Sequence, residues 1–175
     1  GQESFEGQKA FRCPDGKIRI FRIDENAARM QSTSRGIMMP EMPTDLFTEM
    51  VKKVVKLNER FIPPYGTGAS LYLRPLLIGT GAQVGVHPAN EYLFVIFVTP
   101  VGPYFKGGVR PLTVRVSDLD RAAPKGTGHI KAGLNYAMSL YNIGDAHEQG
   151  YDENIYVDSA TRTYIGVPRH DIQRP

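Results

Sequence analysis

The chain has 175 residues, 41% of them hydrophobic and 22% charged, with a formal net charge of +3. That length holds one ordinary domain, or a small domain plus part of another. So small a charge, with basic and acidic residues interspersed, gives no electrostatic footprint for nucleic acid or a membrane surface, and no run reaches the ~18 apolar residues of a transmembrane helix. A single cysteine, Cys13, excludes an internal disulfide framework and fits a reducing compartment such as the cytoplasm.

The chain opens on GQESFEG, with no methionine and no leader pattern, and reads as the interior of a longer sequence. DGKIRIFR (15–22) starts with the turn dipeptide Asp15-Gly16 and alternates Ile18 and Ile20 with Lys17 and Arg19, which predicts a strand after a tight turn. Asp24 is placed to cap a helix running through ENAARMQSTSRGIMM to Pro40. MPTDLFTEMVKKVVKLNERF is amphipathic at helical spacing, with Thr44 and Asp45 at its cap and Pro63-Pro64 beyond it. ASLYLRPLLIG (69–79) and EYLFVIFVTP (91–100) are apolar runs between Gly, Pro and Asn, and both predict well-buried strands. GPYFKGGVRP (102–111) reads as a linker, and LTVRVSD (112–118) as a further strand. AGLNYAMSLYNIGDAHEQGY predicts one helix to about Gln149, closed by Gly150. NIYVDSATRTYI predicts a strand, a turn and the start of another strand, before GVPRHDIQRP loses all periodicity.

Four stretches could carry chemistry. GTGHIK sets Gly126 and Gly128 ahead of Lys131 near a helix start, where backbone can approach a ligand and an amine can be activated. Spacing alone suits a solvated surface lysine at least as well, and there is no P-loop match. YLRP puts Arg74 in an apolar strand on the same face as Tyr72. A guanidinium there recognises a carboxylate, either a ligand's or a structural one such as Glu59 or Glu91. Tyr104 and Phe105 flank the linker, where they either line a pocket or pin the junction. Phe5, in SFEG, is a pocket wall or core. The four histidines have no metal-ligand spacing, so no metal is expected.

The strings GQESFEGQKAFR, DGKIRIFRIDENAARM, SLYLRPLLIG, VGPYFKGG and RAAPKGTGHIKAGLNYAMSL stand in one order, and together they resemble the branched-chain amino acid aminotransferases, pyridoxal-phosphate enzymes of fold type IV. The resemblance runs from about Gly1 to about Tyr164. It implies an α+β fold: a small α/β domain at 1–104, then the linker and first part of a β-rich, cofactor-binding large domain at 105–175. It implies transfer of the amino group of leucine, isoleucine or valine to 2-oxoglutarate, ping-pong through pyridoxamine phosphate, in a cytoplasmic homodimer. Lys131 matches the lysine that carries pyridoxal 5'-phosphate covalently and moves the Cα proton. Tyr136 matches a tyrosine beside the cofactor's ring oxygen, and Arg29 an arginine that binds its phosphate. Tyr72 and Arg74 match the pair that reads a substrate carboxylate, notably the distal one of glutamate; Phe5 and Tyr104 match aromatic walls for branched side chains.

The sequence also departs from that pattern. Leu134 stands where the family usually has the second glycine of Gly-Gly-Asn-Tyr, and would crowd the helix start if that glycine serves close packing. After Ile165, where the family carries a glutamate that pairs with the pyridine nitrogen, the chain reads GVPRHDIQRP. The expectation is a piece truncated at both ends, with exposed apolar sheet edges and no transaminase activity alone. The alternatives are another fold type IV enzyme, a D-amino acid aminotransferase or aminodeoxychorismate lyase, and a non-catalytic product.

Overall fold

Two eleven-residue strands, β4 (Ser70–Thr80) and β5 (Glu91–Val101), form the frame of the first unit, antiparallel and in register from Ser70 opposite Val101 to Thr80 opposite Glu91. The structure is a computed structural model that describes residues 1–103, 108 and 110–166, and it divides into two units, Gly1–Gly108 and Val109–Pro175. Along the other side of β4 lie two short strands, β1 (Glu3–Phe5) and β2 (Gln8–Arg12), with β3 (Ile18–Ile20) beyond β2. β1 pairs with the 76–78 end of β4 and β2 with the 71–73 end.

The break between them follows from Pro75. Its carbonyl accepts a hydrogen bond from the Glu6 N–H at 2.8 Å, so its nitrogen, which has no hydrogen to donate, faces the same edge. The ladder is interrupted at Glu6–Gly7, opposite the residue that cannot complete it.

Helices α1 (Ile23–Gly36) and α2 (Thr44–Leu57) cover one face of this sheet. α2 buries Phe47, Val51 and Val55, one per turn, against Leu71 and Leu73 of β4. α1 does not start as the sequence suggests: Arg22, at φ 48°, is its N-cap, and Asp24 lies with Glu25 in the first turn, facing the positive end of the helix dipole. It also stops at Gly36, short of Pro40, because Met38 takes a left-handed φ of 56° and the Met39 N–H returns to the Ser34 carbonyl at 2.8 Å.

The expectation that both long strands are well buried holds for β4 only. On β5, Tyr92, Phe94, Ile96 and Val98 pack on the helix side, while Leu93 and Phe97 on the other face are 51% and 52% exposed. The helices layer only one side of the sheet, so β5 alternates.

In the second unit β6 (Val114–Val116) pairs parallel with β7 (Glu153–Ile155), joined through α3 (Gly133–Ala137) and α4 (Leu140–Glu148). The single helix expected through Gln149 is broken at Ser139, where the Ser139 N–H bonds back three residues to the Tyr136 carbonyl and its buried hydroxyl turns to the Asn135 carbonyl. Gly150, at φ 84°, closes α4. Arg115 ties the layers together, bonding Asp145 at 2.5 Å, the Asn142 side chain at 2.7 Å and Asn154 at 3.1 Å. The expected turn is closed by the Asp158 carboxylate, which accepts from the N–H groups of Thr161, Thr163 and Tyr164, and the strand after it is reduced to one bridge, Val157 with Ile165. Among the described residues no helix is long and apolar enough to cross a membrane.

Candidate active site

The face of β4 that the helices leave open carries the first group of candidates. Alternation puts Tyr72, Arg74 and Leu76 there, and Phe5 joins them because it stands opposite Leu76. Arg74 donates to the Tyr72 hydroxyl twice, from Nη2 at 2.6 Å and Nε at 3.1 Å. Its Cζ lies 4.6 Å from the centre of the buried Phe5 ring and 5.3 Å from that of Tyr72. Neither structural acid holds it: Glu59 faces Arg12 at 3.9 Å, and no carboxylate pairs with Arg74 among the described residues. A part-buried guanidinium held by a neutral phenol and a ring keeps its charge for an incoming carboxylate.

Gly7 makes room for this. A Cβ there would lie 2.5 Å from the Tyr72 hydroxyl oxygen. The sheet break thus serves the site: it places the one residue without a side chain beneath the phenol that steers Arg74.

Arg29, on α1, meets Glu6, the residue between Phe5 and Gly7. Its Nε and Nη2 donate to the two carboxylate oxygens at 2.8 and 2.7 Å, and Asn26 adds a third donor at 2.8 Å. The Glu6 side chain is 0% exposed, so this pairing balances a fully buried charge. Sequence reasoning missed Glu6; the only signal is its position beside Gly7 in SFEG. Tyr104 lies outside the described residues.

The second unit carries the amine. Lys131 stands just ahead of α3 and Tyr136 on that helix, and Lys131 Nζ donates to the Tyr136 hydroxyl at 2.7 Å. The Arg121 guanidinium, not anticipated from sequence, lies 5.6 Å from the Tyr136 ring centre. A primary amine beside a phenol and a second cation suits a group that bears an aldehyde and negative charge. Leu134 is 43% exposed and does not wedge into the α3 packing of its own unit. The resolved pKa shifts in this unit belong to the scaffold: hydrogen bonds from Arg110 and the Thr113 N–H hold Asp152 down to about 2, and Arg115 lowers Asp145.

Residues 5–164 match the amino-transferase class IV family, and the chain belongs to it. Among its relatives is the branched-chain-amino-acid aminotransferase of Haemophilus influenzae, 51% identical over 170 residues that cover 94% of this chain and 50% of that protein. The chain spans about half the length of the curated relatives it matches. The Escherichia coli branched-chain amino acid aminotransferase superposes with a TM-score of 0.73 at 26% identity, over 96% of this chain and 52% of the other. The T.th. branched-chain amino acid aminotransferase, solved with pyridoxamine 5'-phosphate, shares the fold at a TM-score of 0.75 and 23% identity, over 95% and 53%. The architecture is therefore that of the fold type IV aminotransferases, a mixed α+β fold.

Proposed function

We propose that the whole protein is a cytoplasmic, homodimeric branched-chain aminotransferase that uses pyridoxal 5'-phosphate to move the amino group of leucine, isoleucine or valine to 2-oxoglutarate. The observation that carries this reading is Arg74, turned by the Tyr72 hydroxyl over the Phe5 ring with no carboxylate partner among the described residues. One pocket must accept both a leucine side chain and the distal carboxylate of glutamate. A phenylalanine face with a guanidinium at its edge is suited to both.

Bound pyridoxal phosphate supplies the electron sink for the pair left when a substrate Cα–H bond breaks. Lys131 Nζ would hold the cofactor and, when free of it, would carry the proton between the substrate Cα and the cofactor's C4′. Tyr136 fixes where that amine sits, through its 2.7 Å hydrogen bond. Arg29 serves the cofactor phosphate while anchored by Glu6, and Tyr104 keeps the aromatic-wall role that the family resemblance implies for it.

Half-reactions of the full-length protein, followed by the cofactor's absorbance, test this. L-leucine, L-isoleucine, L-valine and L-glutamate are expected to react, and D-alanine is not; the reverse preference overturns the reading. Arg74→Ala is expected to lower kcat/KM for glutamate about tenfold to hundredfold, the ~1.5–3 kcal/mol of a charged hydrogen bond, with a much smaller effect on leucine.

A further inference from the structure

Lys131 is followed by a helix of only five residues, Gly133–Ala137, too short to hold its own start in place. Something else must fix the amine, and the described hydrogen bonds single out one side chain. Asn135 is 1% exposed. Its Nδ2 donates to the Thr127 carbonyl at 2.7 Å and to the Ile130 carbonyl at 2.8 Å. Its Oδ1 accepts from the Thr127 hydroxyl at 3.1 Å.

Both amide hydrogens and the amide oxygen are therefore spent on the segment just ahead of Lys131, while the Asn135 backbone lies inside the helix that bears Tyr136. The Ile130 N–H closes the turn onto the Thr127 carbonyl at 3.1 Å, and Ile130 and Ala132, on either side of the lysine, are buried. Gly128 lets this turn close, since a Cβ there would lie 2.8 Å from Ala122 Cβ.

We infer that Asn135 is a positioning residue for Lys131: it clamps the 127–130 turn to α3 and thereby sets the Nζ to Tyr136 hydroxyl geometry in which the amine meets the cofactor's aldehyde. This rests on the reading of Lys131 as the cofactor-bearing lysine. Asparagine is required by its atoms. Two carbonyl oxygens need two donors and the Thr127 hydroxyl needs an acceptor, a set that aspartate, leucine and alanine all fail to offer. The described hydrogen bonds of the Asn135 side chain all go to Thr127 and Ile130, so on this reading it acts through the turn.

The test uses the chain with pyridoxal phosphate as the probe and borohydride as the trap. The lysine nitrogen adds to the aldehyde carbon and water leaves; hydride then goes to that carbon and a solvent proton to the nitrogen, leaving a stable secondary amine. Mass spectrometry of the digest gives the rate at Lys131 relative to Lys125, an exposed lysine of the same unit. In wild type Lys131 is expected to be trapped much faster than Lys125. Asn135→Asp, near-isosteric but presenting oxygen to two carbonyls, is expected to lower the Lys131:Lys125 ratio about tenfold or more, the effect of misplacing a reacting group by a fraction of an ångström. Thr127→Val, which removes only the hydroxyl bond, should lower it less.

A merely structural role would raise the labelling of both lysines together as the chain loosens, and would track the urea midpoint. An unchanged ratio in Asn135→Asp, or in Thr127→Val should the first variant fail to fold, overturns the inference and leaves the Lys131 reading intact. A wild-type chain that labels Lys125 as fast as Lys131 overturns the Lys131 reading and the inference with it.

Discussion

Gly7 and Tyr72 act as one unit at the residue scale. The phenol reaches Arg74 only because position 7 carries no side chain; a methyl there would stand 2.5 Å from its oxygen. Gly7→Ala pushes against the hydroxyl end of a half-buried side chain, so the expected stability cost is small, about 1 kcal/mol. The functional cost is larger, because a phenol pushed aside no longer meets Arg74 Nη2 and Nε. The expected outcome is a near-normal urea midpoint, with glutamate turnover reduced about as far as in Arg74→Ala and leucine turnover reduced less. Equal losses for both substrates would mean that Tyr72 does not steer the guanidinium. Glu6, next in the chain, does the complementary task, tethering α1 through Asn26 and Arg29.

At the scale of elements, the second unit depends on side chains that stitch strand to helix, because its parallel pair spans only three residues in each strand. Asp152, just ahead of β7, accepts from Arg110 at 2.6 Å and from the Thr113 N–H at 2.8 Å, and its own N–H returns to the Thr113 carbonyl at 2.7 Å. These bonds hold its carboxyl at about 2, below the ordinary 3.8, with His147 a smaller contributor. A depressed folded-state value stabilises above the unfolded value, and that contribution disappears as pH falls through about 2. Thermal melts should place Asp152→Asn below wild type at neutral pH, with the gap closing between about pH 4 and pH 2. A gap that persists undiminished at about pH 2 would show that the carboxylate's charge is not what holds this corner.

For the molecule as a whole, what sequence made legible was what depends on local order. Tyr72 and Arg74 stand out because YLRP sets a guanidinium in an apolar strand, and α2, β4 and β5 because their apolar periodicity is long. Lys131, by contrast, is read from the order of several strings in the family resemblance, its own spacing suiting a surface lysine at least as well. β1 and β2 escaped sequence reading since three- and five-residue strands broken by Gly7 hold too little pattern, and the break answers to Pro75, distant in sequence. The Glu6, Asn26 and Arg29 cluster escaped for the same reason: it forms across 20 or more positions by packing alone. The wet face of β5 was hidden because a strand's own apolar run cannot say whether one layer or two will cover it.

The most direct measurement is the map of where pyridoxal 5'-phosphate is fixed on the folded chain by borohydride. One pyridoxyl group is expected, on the peptide that contains Lys131, lost in Lys131→Ala and dispersed when the chain is unfolded in urea. Label spread over exposed lysines such as Lys17, Lys53 and Lys56, in the same pattern with and without urea, would contradict it.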